Sequence, residues 1–286
     1  MALDTPALRD LADLLAPRRR TEVVDIGANP IDGDPPYRAL LYAGLVGVTG
    51  FEPQPDALAR LHELAGPTER YLRHAVGDGA HHTLHICASE GFTSLLEPDP
   101  DQLAVLVDFP RLAAVVDRVP VATTRLDDIA EIGALDLLKI DIQGGELTVL
   151  RHGRERLAGA VAIQTEVGYH RLYRDQPLAA DVDLELRGLG FVPHAVVSQR
   201  TWPLAPVQWA DELEGRARHL VEADLLYVRD LARLDRLDDE QLRHLAIVTV
   251  GGYAEVGVAI RCVDELVRRG ALPAEAVQRL RAVLTR

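Results

Sequence analysis

The stretch that decides the fold is Val23-Val24-Asp25-Ile26-Gly27-Ala28-Asn29, answered one helix later by Phe51-Glu52-Pro53. Each half is an apolar run that stops at an acid or a small residue. A buried parallel strand looks like this where it leaves the core and delivers polar groups to the carboxyl edge of its sheet. Gly27 has no side chain to keep a ligand from the backbone. Glu52, closing the second strand, is placed to accept hydrogen bonds from a ribose diol. The two strand ends read as a nucleoside-binding crevice.

The glycine pattern narrows the nucleoside. A dinucleotide crevice asks for G-x-G-x-x-G, which seats a pyrophosphate on a helix N-terminus. Here Gly27 is followed by Asn29-Pro30 and the next glycine is Gly33, so the pattern fails at its second position. Asp25 would repel a pyrophosphate, yet it suits a cation. S-adenosyl-L-methionine carries a sulfonium and an ammonium and no phosphate, so the charge logic favours it over a nicotinamide dinucleotide.

Outward from this core the chain alternates strand and helix. Thr5 to Leu15 reads as an amphipathic helix, with Leu8, Leu11, Leu14 and Leu15 on one face. Strands are expected at Glu22–Ile26, Val46–Phe51, Arg70–Val76, Val119–Thr123, Leu135–Ile142, Ala160–Val167, Phe191–Val197 and Asp224–Val228, and Thr83–Cys87 alternates as a strand would. Helices are expected at Tyr37–Ala43, Asp56–Leu64 and Ala179–Leu189, with shorter starts at Leu126 and Glu146. Glu90 to Val116, broken by Pro98, Pro100 and Pro110, reads as a mobile insertion and the natural lid. Beyond Leu231 the pattern is helix only: 238–250, 253–269 and 273–284. Residues 1–20 thus read as an N-terminal helix, 21–230 as the α/β domain and 231–286 as a helical extension.

Bulk properties exclude several classes. The 286 residues can bury a full core but not two large domains. A net charge of −13, spread along the chain, argues against a nucleic-acid partner. No apolar run is long enough to span a bilayer, and the order of charge and apolar residues near the N-terminus is wrong for a secretory signal. Cys87 and Cys262 lie far apart and read as small buried hydrophobes, consistent with a reducing cytoplasm. Lys139 is the only lysine. Inside a strand, its stem should pack and its ammonium should pair with an acid.

Four ordered motifs then carry a resemblance: Asp25-Ile26-Gly27-Ala28-Asn29, Phe51-Glu52-Pro53, Ala75-Val76-Gly77-Asp78, and Leu138-Lys139-Ile140-Asp141-Ile142-Gln143-Gly144-Gly145-Glu146. In that order they resemble the FkbM family of S-adenosylmethionine-dependent methyltransferases, over Thr21 to Arg229. The resemblance implies a class I methyltransferase fold: a doubly wound, mostly parallel, seven-stranded α/β sheet with one antiparallel strand. It also implies O-methylation of a hydroxyl on a small molecule, a natural product or a sugar. Pro30-Ile31-Asp32-Gly33-Asp34-Pro35-Pro36-Tyr37 stands where the family commonly places a glycine, so the loop over the methionine moiety is expected to be rebuilt.

Residue by residue, Asp25, Gly27, Ala28 and Asn29 would shape the methionine half of the cofactor pocket, and Glu52 with Pro53 the ribose. His74 and Ala75 would lie against the adenine. Asp141, Ile142 and Gln143 sit at the reaction edge. Candidates for proton removal are His170, Glu166 and Asp141. A magnesium ion between Asp141 and Glu166 has only two visible carboxylates, and no metal is assigned. Asp78 is expected to cap its turn and Glu146 to favour a helix N-terminus. Phe92 to Leu95, Tyr169, Tyr173 and Trp202 are expected to wall the acceptor.

Other readings stay open. Asp34-Pro35-Pro36-Tyr37 spells a tetrapeptide that grips flipped bases in amino-methyltransferases, but here it shares a loop with Gly27 and reads as a proline-rich turn. A Rossmann oxidoreductase and a cofactor-binding scaffold without catalysis are the alternatives. In the tail, Leu242, Leu245, Val248, Val256, Val263 and Leu266 form an apolar stripe that packs either on the domain or in a homodimer.

Overall fold

The computed structural model describes residues 3–29, 33–210 and 212–285. Apart from single turns of tighter helix, the elements in chain order are α1 (Thr5–Leu15), β1 (Thr21–Ile26), α2 (Arg38–Ala43), β2 (Val46–Phe51), α3 (Pro55–Leu64), β3 (Glu69–Leu72), β4 (Ala75–Gly77) and β5 (His81–Cys87). There follow α4 (Pro100–Leu103), α5 (Phe109–Leu112), β6 (Val115–Arg125), β7 (Leu137–Ile140), α6 (Glu146–Arg151), α7 (Arg154–Leu157) and β8 (Ala162–Gly168). The chain closes with α8 (Ala179–Gly188), β9 (Phe191–Pro203), β10 (Arg218–Arg229), α9 (Asp239–Tyr253), α10 (Val256–Arg268) and α11 (Ala276–Leu284). Capping chemistry sets two of the helix starts. Asp4 accepts the Ala7 N–H at 2.9 Å, and Asp238 and Gln241 cap α9 reciprocally.

The main sheet has seven strands in the order β3-β2-β1-β7-β8-β10-β9. The first five are parallel, and β10 runs antiparallel to both β8 and β9. This is the doubly wound α/β sheet expected from the motifs, with its single reversed strand inserted beside the edge and not at it. The order switches direction at β1 and β7, so a crevice opens at their carboxyl ends.

Alternation by two decides which face each strand residue serves. Val23, Val46, Leu137 and Leu226 point to one face and pack with Leu8 and Leu11 of α1, Leu40 of α2, and Leu245, Val263 and Leu280 of the C-terminal helices. Their neighbours Val24, Leu138 and Ile163 point to the other face, against Leu147, Leu157 and Leu186 of α6, α7 and α8. The C-terminal helices therefore cover the sheet. Leu242, Leu245, Val248, Val263 and Leu266 are buried within the chain, and Val256 alone of that stripe is exposed. A dimer interface built on those side chains would have to open this core.

Several strands differ from their expected extents, and the largest differences have physical reasons. The strand read as Arg70–Val76 breaks at His74. Its first half, β3, edges the main sheet, and its second, β4, pairs with β6 in a separate sheet of order β4-β6-β5. The strand read as Val119–Thr123 is the middle of the longer β6, most of which is exposed on both faces and so lacks a readable alternation. β9 and β10 continue well past the end of β8, where their sequence turns polar. The insertion after Glu90 is packed, not loose. Leu103, Leu106 and Phe109 form a third small core with Leu172, Tyr173 and Val221 beyond the sheet edge. Among the described residues no helix is long and apolar enough to cross a membrane.

Candidate active site

A cleft of about 360 Å³ opens over the carboxyl ends of β1, β2 and β7, roofed by residues of the insertion. Gly27, Asn29, Glu52, Pro53, His74, Ala75, Asp141, Ile142 and Gln143 all line it. Gly27 is required for a reason internal to the protein. Its φ is +78°, and a Cβ built there would lie 1.9 Å from the carbonyl oxygen of Asp141. The exits of β1 and β7 press against each other, which brings Asp141 to the cleft. Ala28 is buried behind the lining, near Gly50. The rebuilt loop after Asn29 falls in part on residues 30–32, outside the described residues.

Glu52 is 3% exposed, and its Oε1 accepts the Gln54 N–H at 2.8 Å. Burial pushes its carboxyl pKa up, and the Gln54 bond pulls it partly back. Next to it the His74 ring stands edge-on to Phe51, centroids 5.8 Å apart, with Nδ1 3.4 Å from Thr124 Oγ1. Asn29 Nδ2 reaches Glu90 at 3.5 Å, joining the β1 exit to the insertion.

The loop after β7 is organised by Gln143, a non-glycine residue at φ +59°. Its amide nitrogen donates to Asp141 Oδ1 at 3.0 Å and to Glu166 Oε2 at 2.9 Å. Its Oε1 lies 3.2 Å from the Tyr173 hydroxyl, which also meets the Phe92 carbonyl at 3.1 Å. Its backbone carbonyl accepts from Ser94 Oγ at 2.6 Å. Glu146 accepts the N–H groups of Ile142 and Gly144 at 2.9 and 3.2 Å, so it braces the loop from the first turn of α6. Burial raises the Glu146 carboxyl to about 7. Burial, then Asp141 and Glu222, hold Glu166 well above the carboxylate range, which favours its protonated form. Asp141, Glu146 and Glu166 bring one oxygen each within 4.8 Å of one another. The protein's own amide and N–H donors already serve this acidic group.

Several expected site residues are elsewhere. Asp25 does not line the cleft. It is buried on the face covered by the C-terminal helices, accepting the Tyr37 hydroxyl at 2.5 Å and pairing with Lys139 at 3.3 Å. Strand alternation sends Asp25 to that face and Ile26 to the other. Tyr37, the last residue of the proline-rich turn, is thereby buried, and Lys139 has the acid partner its position called for. His170 also lies outside the lining. A ring nitrogen sits 3.1 Å from the Gln102 carbonyl, and the ring stacks edge-on with His219 at 5.2 Å. Glu166 sits behind Gln143 and does not line the cleft. Tyr173 is buried beneath the insertion, Tyr169 is exposed, and Asp78 holds its turn through the Ala80 N–H at 2.9 Å.

Sequence reasoning missed Phe109, Arg200 and Glu222, which line the cleft with Phe92 and Trp202. Phe109 stands 4.9 Å from both the Phe92 and Trp202 rings. Arg200 Nη1 pairs with Glu222 Oε1 at 2.8 Å across β9 and β10. No local signal marks this pair, because the strands that carry it were read too short.

The sequence of these strands is shared with a known protein family. The profile of the Methyltransferase FkbM domain matches residues 25–193. The 2-O-methyltransferase NoeI of Sinorhizobium fredii (strain NBRC 101917 / NGR234) is 31% identical over 179 residues, covering 57% of this chain and 70% of that protein. Among solved structures, a putative methyltransferase from Thermoplasma acidophilum aligns at 11% identity and a TM-score of 0.37, over 74% of this chain and 69% of that one. The magnesium protoporphyrin IX methyltransferase of Synechocystis PCC 6803 aligns at 12% and 0.37, over 79% of each chain. The match to the family profile spans more than half of the chain and includes the strand ends that form the cleft. The chain belongs to the FkbM methyltransferase family.

Proposed function

We propose that the protein transfers a methyl group from S-adenosyl-L-methionine to a hydroxyl of a small molecule, a natural product or a sugar. Glu52 carries the reading. A carboxylate that is buried yet lines a cleft needs hydrogen-bond donors, and a ribose diol supplies them at the carboxyl end of the second strand. Phe51, His74 and Val76 offer a largely apolar slot for an adenine beside it. Glu90 and Asp141 give the cleft an excess of negative charge, which suits a cationic ligand. The cofactor, when bound, supplies a methyl group made electrophilic by its sulfonium.

This chain's residues would do the rest. Asp141 is the cleft carboxylate at the sheet edge and can accept the proton of an acceptor hydroxyl. The Gln143 amide fixes its orientation. Phe92, Phe109 and Trp202 wall the opposite side and exclude water. The relative's designation as a 2-O-methyltransferase supports oxygen as the nucleophile.

The test is calorimetric titration with S-adenosylhomocysteine of the wild type and of Glu52→Ala. Micromolar binding by the wild type, weakened by about 2 kcal/mol or more in the variant, is the expected result. A wild type that does not bind the nucleoside refutes the assignment.

A further inference from the structure

The roof of the cleft has a composition of its own. Arg200 and Trp202 alternate along β9 and both line the cleft, so they share one face of the strand. Opposite them, β10 carries an irregularity. Leu220 pairs with Thr201, but the next partner of the β9 ladder, Arg200, is met by Glu222, so Val221 is the extra residue of a bulge. A shift of one residue turns every following side chain to the other face, and bulges beside active sites re-aim side chains in this way. Val221 goes into the small core, and Glu222 turns toward Arg200 and the cleft. The Glu222 side chain is 10% exposed and that of Arg200 50%. The Trp202 indole N–H is spent on the Val107 carbonyl at 2.7 Å, so the cleft meets a ring face or edge and not its donor.

Resting on the methyltransferase reading above, we propose that Arg200 and Glu222 form a specificity subsite for an uncharged ring bearing adjacent hydroxyls. Three observations converge on that class. The guanidinium and carboxylate put a fixed donor beside a fixed acceptor, so one hydroxyl accepts from Arg200 while its neighbour donates to Glu222. A single isolated hydroxyl engages only half of the pair. The Phe92, Phe109 and Trp202 wall offers apolar area to the C–H face of such a ring. Finally, among the described residues the charged side chains lining the cleft are Glu52, Glu90, Asp141 and Glu222 against Arg200, whose charge Glu222 already answers. A carboxylated or phosphorylated acceptor would enter against that field.

The experiment measures methyl transfer from labelled S-adenosyl-L-methionine to four acceptor sets. These are methyl hexopyranosides, their monodeoxy analogues lacking one member of a vicinal pair, methyl hexuronates, and phenolic aglycones without vicinal hydroxyls. Wild type, Arg200→Gln and Glu222→Gln are compared, with S-adenosylhomocysteine affinity measured on each. The expected result is a preference of at least tenfold in kcat/KM for a hexopyranoside over one of its deoxy analogues. Both variants should lose that preference through KM, while keeping nucleoside affinity within twofold. A merely structural pair would lower transfer to both acceptors alike. Equal use of the deoxy analogues, preference for uronates or aglycones, or variants that keep the preference would each overturn the proposal. So would an absence of transfer to any hexopyranoside by a protein that still binds the nucleoside. Failure of the wild type to bind the nucleoside would instead remove the methyltransferase reading, and this proposal with it.

Discussion

Replacing Lys139 with methionine should cost the fold about 3 kcal/mol while leaving nucleoside binding intact. Asp25 is almost fully buried, and Lys139 sits 3.3 Å from its Oδ1 with 17% of its side chain exposed. Removing the ammonium leaves a buried carboxylate that still accepts from the neutral Tyr37 hydroxyl. Breaking one side of a buried pair typically costs 3–5 kcal/mol. The partial exposure of Lys139 and the retained Tyr37 bond place this case at about the low end of that range. The double variant Asp25→Asn, Lys139→Met removes both charges and should recover all but about 1 kcal/mol. Urea unfolding at constant m-value reads the stability, and titration with S-adenosylhomocysteine reads the cleft. There is also an alkaline signature. Burial pushes the Lys139 ammonium down, but Asp25 and Asp141 raise it further, so its folded pKa lies above the ordinary value. Its stabilisation is therefore full below the unfolded lysine pKa and fades as pH rises through the folded one, a fade the methionine variant lacks. A single variant that loses under about 1 kcal/mol of stability yet binds the nucleoside tenfold worse would refute the reasoning, and would return Asp25 to the cofactor.

Three other outcomes are expected. Glu146 holds its proton to about pH 7 in the fold, whereas an unfolded glutamate releases it near 4.3, so stability is full below the lower value and falls by about 4 kcal/mol as pH rises through the upper one. Glu146→Gln keeps an oxygen for the Ile142 and Gly144 N–H groups and should flatten that slope; an unchanged slope in the variant's pH-stability curve assigns it to another group. Gly27→Ala forces a Cβ against the Asp141 carbonyl at a positive φ and should cost about 3 kcal/mol or more, so near-wild-type unfolding would show that the two strand exits are not in contact. Truncation after Asp230 strips the cover from Val23, Val46, Leu137 and Leu226. It should yield a protein that binds a hydrophobic dye and lacks a cooperative unfolding transition, and a soluble, cooperative product would contradict the layer assignment.

How much of this was legible depends on the range over which each feature is decided. Strand ends at Ile26 and Phe51 could be read because an apolar run meeting a polar residue is a local signal, and the same signal marks Asp141, although the strand expected through Ile142 stops at Ile140. Glu52 and Asp141 followed from it, and both line the cleft. Asp25 was legible as a strand-end acid but not as a core residue. Its face is set by alternation, and its partners, Tyr37 and Lys139, come from separate elements. The tail's apolar stripe revealed that it must be covered, yet a stripe carries no information on what covers it. Arg200 and Glu222 were invisible for a stricter reason. They meet through an extra residue at Val221, and pairing register across a bulge is not written in either strand alone.

The bonds around Gln143 have a consequence for acceptor binding. Ser94 and Phe92 belong to the roof, and both are tied to the Gln143 loop, one directly and one through the Tyr173 hydroxyl. The roof and the residue that donates to Asp141 are therefore held by one connected set of bonds. On the function proposed above, an acceptor that moves the roof would also move the Gln143 loop, so acceptor binding and the aim of Asp141 would be coupled through these bonds.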